Sequence, residues 1–110
     1  MATRQQGELE IALDRKRVMR MDYNALAEAE EALGRPFPTI DLAGMGVREL
    51  RAILYGTLKE DDPSLTVRDA GRLMTGHTAE MMAALTDLIA AAFPPDGGEA
   101  PQAGRKKGKG

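Results

Sequence analysis

The sequence predicts an α+β domain, an N-terminal β-hairpin packed on a small bundle of about four helices, followed by a disordered C-terminal tail. Three observations carry that expectation. Leu9, Ile11 and Leu13 alternate with Glu8, Glu10, Ala12 and Asp14, the period of two of a half-buried strand. From Tyr23 onward the apolar residues recur instead with helical spacing. Beyond Phe93 the chain reads PPDGGEAPQAGRKKGKG, which offers no large apolar side chain to a core. The expected division is a folded domain over residues 1–93 and a flexible Pro/Gly-rich basic tail over 94–110.

Each element has a local cause. After the polar Asp14-Arg15-Lys16, Met19 and Met21 alternate with Val18 and Arg20 and form the second strand. The turn lacks an Asn-Gly or Asp-Gly pair, so the hairpin register stays open. Asp22 can accept a free N–H of the first turn of a helix starting at Tyr23. Gly34 is a natural left-handed C-terminal residue, and Pro36 stops the helix from resuming. PFPTIDLAGMG then reads as a connector. Val47 to Leu58 puts Val47, Leu50, Ile53, Leu54 and Leu58 on one face, the clearest amphipathic helix of the chain. KEDDP at 59–63 is a turn, and Thr66 with Asp69 three residues on resembles a capping box for the third helix, which runs to about Thr75. Gly76-His77-Thr78 breaks it, and a fourth helix covers roughly Ala79 to Phe93 before Pro94-Pro95.

Composition excludes several classes. The 110 residues suffice for one small domain with little stability to spare. Cysteine is absent, which removes disulfides, thiolate metal sites and a cysteine nucleophile. No apolar run reaches the roughly 18 residues a membrane span needs, and the polar MATRQQGELE start has no signal-peptide core. A cytoplasmic location without membrane contact is expected. The net charge is −2, and removing the four cations Arg105, Lys106, Lys107 and Lys109 leaves −6 on residues 1–104. An acidic body with a basic tip makes nucleic acid an unfavourable partner for the body.

No enzymatic constellation is legible, and the expectation is a protein without catalytic, cofactor or metal residues. The single histidine, His77, lies at a helix break without a neighbouring nucleophile or paired ligands, and reads as a surface or capping residue. Glu60, Asp61 and Asp62 lack the spacing of a calcium loop and read as a solvated turn. AGMG at 43–46 has neither form of phosphate-loop spacing. GRKKGKG can attract phosphate, but it holds no aromatic residue for base stacking.

The fourth helix is broader in its apolar surface than a small domain readily covers. Met81, Leu85, Leu88, Ala92, Ile89, Met82 and Phe93 spread over a wide arc, and alanines extend it. Met74, Met81 and Met82 cluster near the third and fourth helices, where flexible thioethers suit varied apolar partners. Met74, Met81, Met82, Leu85, Ile89 and Phe93 are therefore the candidate partner-binding residues. Core filling by the same methionines is the competing reading.

The helix YNALAEAEEAL poses a separate question. Glu30 lies about 40° from Leu26 on a helical wheel, inside the arc of Leu33, Ala29, Ala25, Ala32 and Tyr23. A carboxylate there requires a partner or takes up a proton. Arg48 and Arg51 on the next helix, or the free N–H groups at that helix's start, are the candidates, and a structural ion pair is expected.

In its order of elements the chain resembles the tail assembly chaperones of tailed phages, in the branch found in gene transfer agents and related prophages. The resemblance covers about residues 8–93 and rests on the hairpin, YNALAEAEEALGRPF, VRELRAILYGTLKEDDPSLTVRDAGRLM and an apolar helix ending in AAF. The position of Glu30 commonly carries an acid in that family and that of Tyr23 an aromatic residue. The resemblance implies a non-enzymatic factor that coats the aggregation-prone tape measure protein, many copies per client, until tail-tube subunits polymerise around it. It implies a bacterial host cytoplasm and absence from the mature particle. Tail-tube protein and a second copy of the chain are further partners compatible with it; some phages extend such chaperones by ribosomal frameshifting near their end, which the resemblance would place at a slippery run encoding Lys106-Lys107 or Gly108-Lys109. Two other readings stay open: a small nucleic-acid-associated or regulatory protein acting through GRKKGKG, and a structural tail component.

Overall fold

The computed structural model describes residues 7–37 and 39–93. The N-terminal six residues, Pro38 and the expected tail over 94–110 lie outside them. The fold is α+β, with a two-stranded antiparallel hairpin, β1 (Glu8–Ala12) and β2 (Lys16–Arg20), followed by four helices. These are α1 (Tyr23–Leu33), α2 (Val47–Leu58), α3 (Val67–Gly76) and α4 (Thr78–Ala92), and a 3-10 turn at Leu42–Gly44 lies in the connector. No helix among the described residues is long and apolar enough to cross a membrane.

The hairpin register pairs Leu9 with Met19 and Ile11 with Arg17. Opposed residues share a face, so the alternation of period two sends Leu9, Ile11, Arg17 and Met19 to one side. Met19 and Met21 are buried and Leu9 and Ile11 half-buried against the helices. The turn closes through the Leu13 N–H, which donates to the Arg15 carbonyl at 3.0 Å.

The helix ends follow the chemistry of their residues. Asp22 accepts the Ala25 N–H at 2.9 Å at the start of α1, and Gly34 ends that helix in the left-handed region with φ 88°. Thr66 and Asp69 form a reciprocal box at the start of α3, with bonds of 3.0 and 3.1 Å. His77 joins α3 to α4 through its backbone: its N–H donates to Met74 and its carbonyl accepts from Met81. The core is built on Met19, Met21, Ile53, Leu54, Leu58, Met81, Leu85 and Leu88, all fully buried. Each such side chain contributes about 1.5–3 kcal/mol relative to exposure.

The backbones of α1 and α2 approach each other closely at Gly56. A Cβ built on Gly56 would stand 2.3 Å from the Ala25 carbonyl oxygen and 3.3 Å from the Ala29 Cβ. Ala25 and Ala29, and likewise Ala52 and Gly56, lie four apart, so each helix presents a strip of small residues to the other. A glycine inside a helix costs about 1 kcal/mol relative to alanine, and this contact supplies the compensating reason.

Gly56→Ala is expected to destabilise the domain by about 3 kcal/mol or more, because the obstructing atom is backbone. Gly76→Ala, where nothing lies within 4 Å of the added Cβ, is expected to be neutral or mildly stabilising. Urea unfolding of the two variants checks the contrast, and equal effects would contradict the close approach.

Candidate functional site

The candidate partner-binding residues divide by burial. Met81 and Leu85 are 0% exposed and, with Ala84 and Leu88, form the buried stripe of α4. They form core and cannot present a surface in this fold, which corrects the sequence expectation for these two positions. The physical reason is the spacing of three and four residues from Met81 through Leu88, which turns all four inward together. Met82, Ile89 and Phe93 are half-buried on the flank of that stripe, and Met74 is half-buried on α3.

The flank of α4 forms one wall of an open cleft of about 440 Å³. Thr86, Ile89, Ala90 and Phe93 line that wall, and Ile40, Asp41, Leu42 and Ala43 of the connector line the other. Asp41 fixes the connector wall by accepting the Ala43 N–H at 3.2 Å, which starts the 3-10 turn and sets Leu42 toward the core. Sequence reasoning missed this wall, although Ile40 and Leu42 are apolar residues bracketing a capping aspartate. The cleft floor is apolar and its only ionisable lining group is Asp41.

Tyr23 also departs from expectation. It is 77% exposed, and its ring meets Phe93 at 5.3 Å between centroids with planes 58° apart. The aromatic pair joins the start of α1 to the end of α4 at the surface.

Glu30 has a partner, but not an arginine. Its Oε2 accepts the Phe37 N–H at 2.9 Å, and no ion pair with Arg48 or Arg51 forms among the described residues. The left-handed turn at Gly34 folds the chain back along the last turn of α1 and brings that N–H to the carboxylate. The expected bridge between the helices exists through other residues. Arg35 donates to Glu49 Oε2 at 2.9 Å, while Glu49 Oε1 accepts the Gly46 N–H at 2.8 Å at the start of α2. These bonds, the backbone one first, hold the Glu49 carboxyl below its ordinary pKa.

The acidic turn after α2 is a clamp on the hairpin rather than a solvated loop. Asp62 accepts from Arg17 at 3.2 Å, Asp61 accepts the Val18 N–H at 3.3 Å, and Glu60 lies 3.2 Å from Arg20. Arg17 is only 6% exposed, and Asp14 takes its Nε and Nη2 at 2.7 and 2.9 Å. The bond to Arg17 lowers the Asp14 pKa to about 2. Among the described residues no group of three or more His, Cys, Asp or Glu is placed to hold a metal ion.

Two variants test these contacts. Glu30→Gln keeps an acceptor for the Phe37 N–H and is expected to cost under about 1 kcal/mol in urea unfolding, with Glu30→Ala costing more. The depressed Asp14 pKa contributes stability that is fully present above about pH 4 and is lost as the pH falls toward the folded pKa of about 2. Thermal unfolding across that window is expected to show a shallower pH dependence in Asp14→Asn than in the parent.

Comparison with known proteins returns no match: no family model, no curated protein and no solved structure is significantly similar to the chain.

Proposed function

We propose that this protein is a non-enzymatic assembly chaperone of the phage or gene-transfer-agent tail type, acting in the bacterial cytoplasm on the tape measure protein. The supporting observation is the open apolar cleft between the connector and α4, lined by Ile40, Leu42, Ile89 and Phe93. A shallow apolar trough beside a helix accepts the apolar stripe of an amphipathic client helix. Met82, two turns before Ile89 on α4, extends this face with an adaptable side chain. The client-binding set is thus Met82, Ile89 and Phe93 with Ile40 and Leu42, while Met81 and Leu85 support it from beneath.

The shape of the site fits reversible binding. An open cleft makes modest contact per copy, and many copies along one extended client supply retention that subunit exchange can reverse. A polar rim at Asp41 and Thr86 keeps the face wettable when empty.

Co-expression with a tape measure protein is expected to yield a soluble complex. Ile89→Glu combined with Leu42→Glu should abolish it while circular dichroism reports a folded domain. A complex surviving in the folded double variant would overturn this site. Deleting residues 105–110 is expected to leave the complex intact, whereas salt-sensitive nucleic-acid binding lost with that deletion would favour a role for the basic tip.

A further inference from the structure

The arginines of the described body fall into two groups. Arg15, Arg17, Arg20, Arg35 and Arg72 each lie within ion-pair distance of a carboxylate. Arg48, Arg51 and Arg68 have none among the described residues. The three are not scattered. Arg48 and Arg51 are one turn apart on α2, and Tyr55 and Lys59 continue the same stripe at steps of four. The opposite side of α2 is buried at Ala52, Ile53, Leu54, Gly56, Thr57 and Leu58, and its one acid, Glu49, is paired with Arg35. The stripe through Arg48, Arg51, Tyr55 and Lys59 therefore carries three cations and no acid.

Helix α3 extends the stripe into a patch. The Arg51 stem crosses α3 at Gly71, where an added Cβ would meet the Arg51 Cδ at 3.2 Å. Arg68 lies one turn before Gly71 and is exposed. The Lys59 ammonium stands 5.2 Å from the centre of the Tyr55 ring, and it donates to the Pro63 carbonyl at 2.8 Å. Arg51 Nε is buried and has no hydrogen-bond partner. That buried, unpaired donor is costly to the fold, and it leaves the terminal nitrogens of the guanidinium as the groups that can meet an acceptor from outside.

We infer that Arg48, Arg51, Lys59 and Arg68 form, around Tyr55, a docking surface for an acidic polypeptide segment. The occupant follows from charge complementarity. Three guanidinium groups without internal partners match carboxylates, with which arginine forms planar paired bonds. A long polyanion is disfavoured because residues 1–104 carry −6 overall, so a nucleic acid strand leaving the patch meets like charge. A short run of Glu and Asp fits within the patch and avoids that repulsion. The surface lies on α2 and α3, apart from the residues lining the α4 cleft, and the inference does not rest on the chaperone reading.

Titration of the full chain with short poly-L-glutamate and with single-stranded DNA of matched charge, at low salt, tests the proposal. Poly-L-glutamate is expected to bind the more tightly, and Arg48→Gln/Arg51→Gln/Arg68→Gln should weaken it roughly tenfold. Lys16→Gln, an exposed charge on the hairpin, and deletion of residues 105–110 should each have a much smaller effect. Should the triple variant fail to fold by circular dichroism, Arg48→Gln/Arg68→Gln changes only exposed side chains and carries the same comparison. Unchanged binding in the folded variant, binding lost with the 105–110 deletion alone, or a preference for DNA would each overturn the assignment.

Discussion

Everything in this small domain is arranged around the depth to which α1 sinks onto α2. Gly56 has no side chain, and the Ala25 carbonyl approaches its backbone more closely than a Cβ would permit, with the Ala29 methyl tight beside it. That contact fixes the separation of the two helices, and the separation sets which side chains of α2 reach the core. Ile53, Leu54 and Leu58 then join the hairpin methionines and the buried stripe of α4 in one core cluster. A domain this size has few alternative contacts with which to compensate for a shift of one helix.

The hairpin is the thinnest part of the structure, since a lone pair of strands is marginal in water. Apolar packing of Met19 and Met21 secures one face, and the acidic turn secures the end. Arg17 occupies a position whose strand face is otherwise apolar, and its charge is matched by Asp14 within the hairpin and Asp62 beyond it. Burying one ion among two carboxylates has a desolvation cost that the bonds offset. Its structural effect is registry: a one-residue slip of β2 would turn Arg17 and Met19 outward and move Lys16, Val18 and Arg20 to the core side.

Much of this was legible in the sequence because it rests on local chemistry. Asp22, Gly34 and the Thr66-Asp69 box act where their residue types place them, and the period of two located both strands. The breadth of α4 was legible too, but not which of its residues face inward, because a helix apolar on most sides gives little phase information. Glu30 shows a different limit. Its need for a partner followed from the wheel, yet the partner is a backbone N–H delivered by a turn at Gly34, which no side-chain pattern announces. The acids of 60–62 looked solvated because their hairpin partners are forty or more residues away in sequence. The connector wall of the cleft depends on a single 3-10 turn, too short to leave a periodic signal.

Gly7 and Phe93 line one small cleft with Met21, Asp22 and Tyr23, and the Gly7 carbonyl accepts the Met21 N–H at 2.7 Å. The path of the described chain therefore returns to the corner where it started, almost a closed ring. Joining the two ends with a short linker would complete that ring without crossing a packed layer. A protein fused ahead of Gly7 or behind Phe93 would start from the same corner, beside the Phe93 end of the α4 cleft.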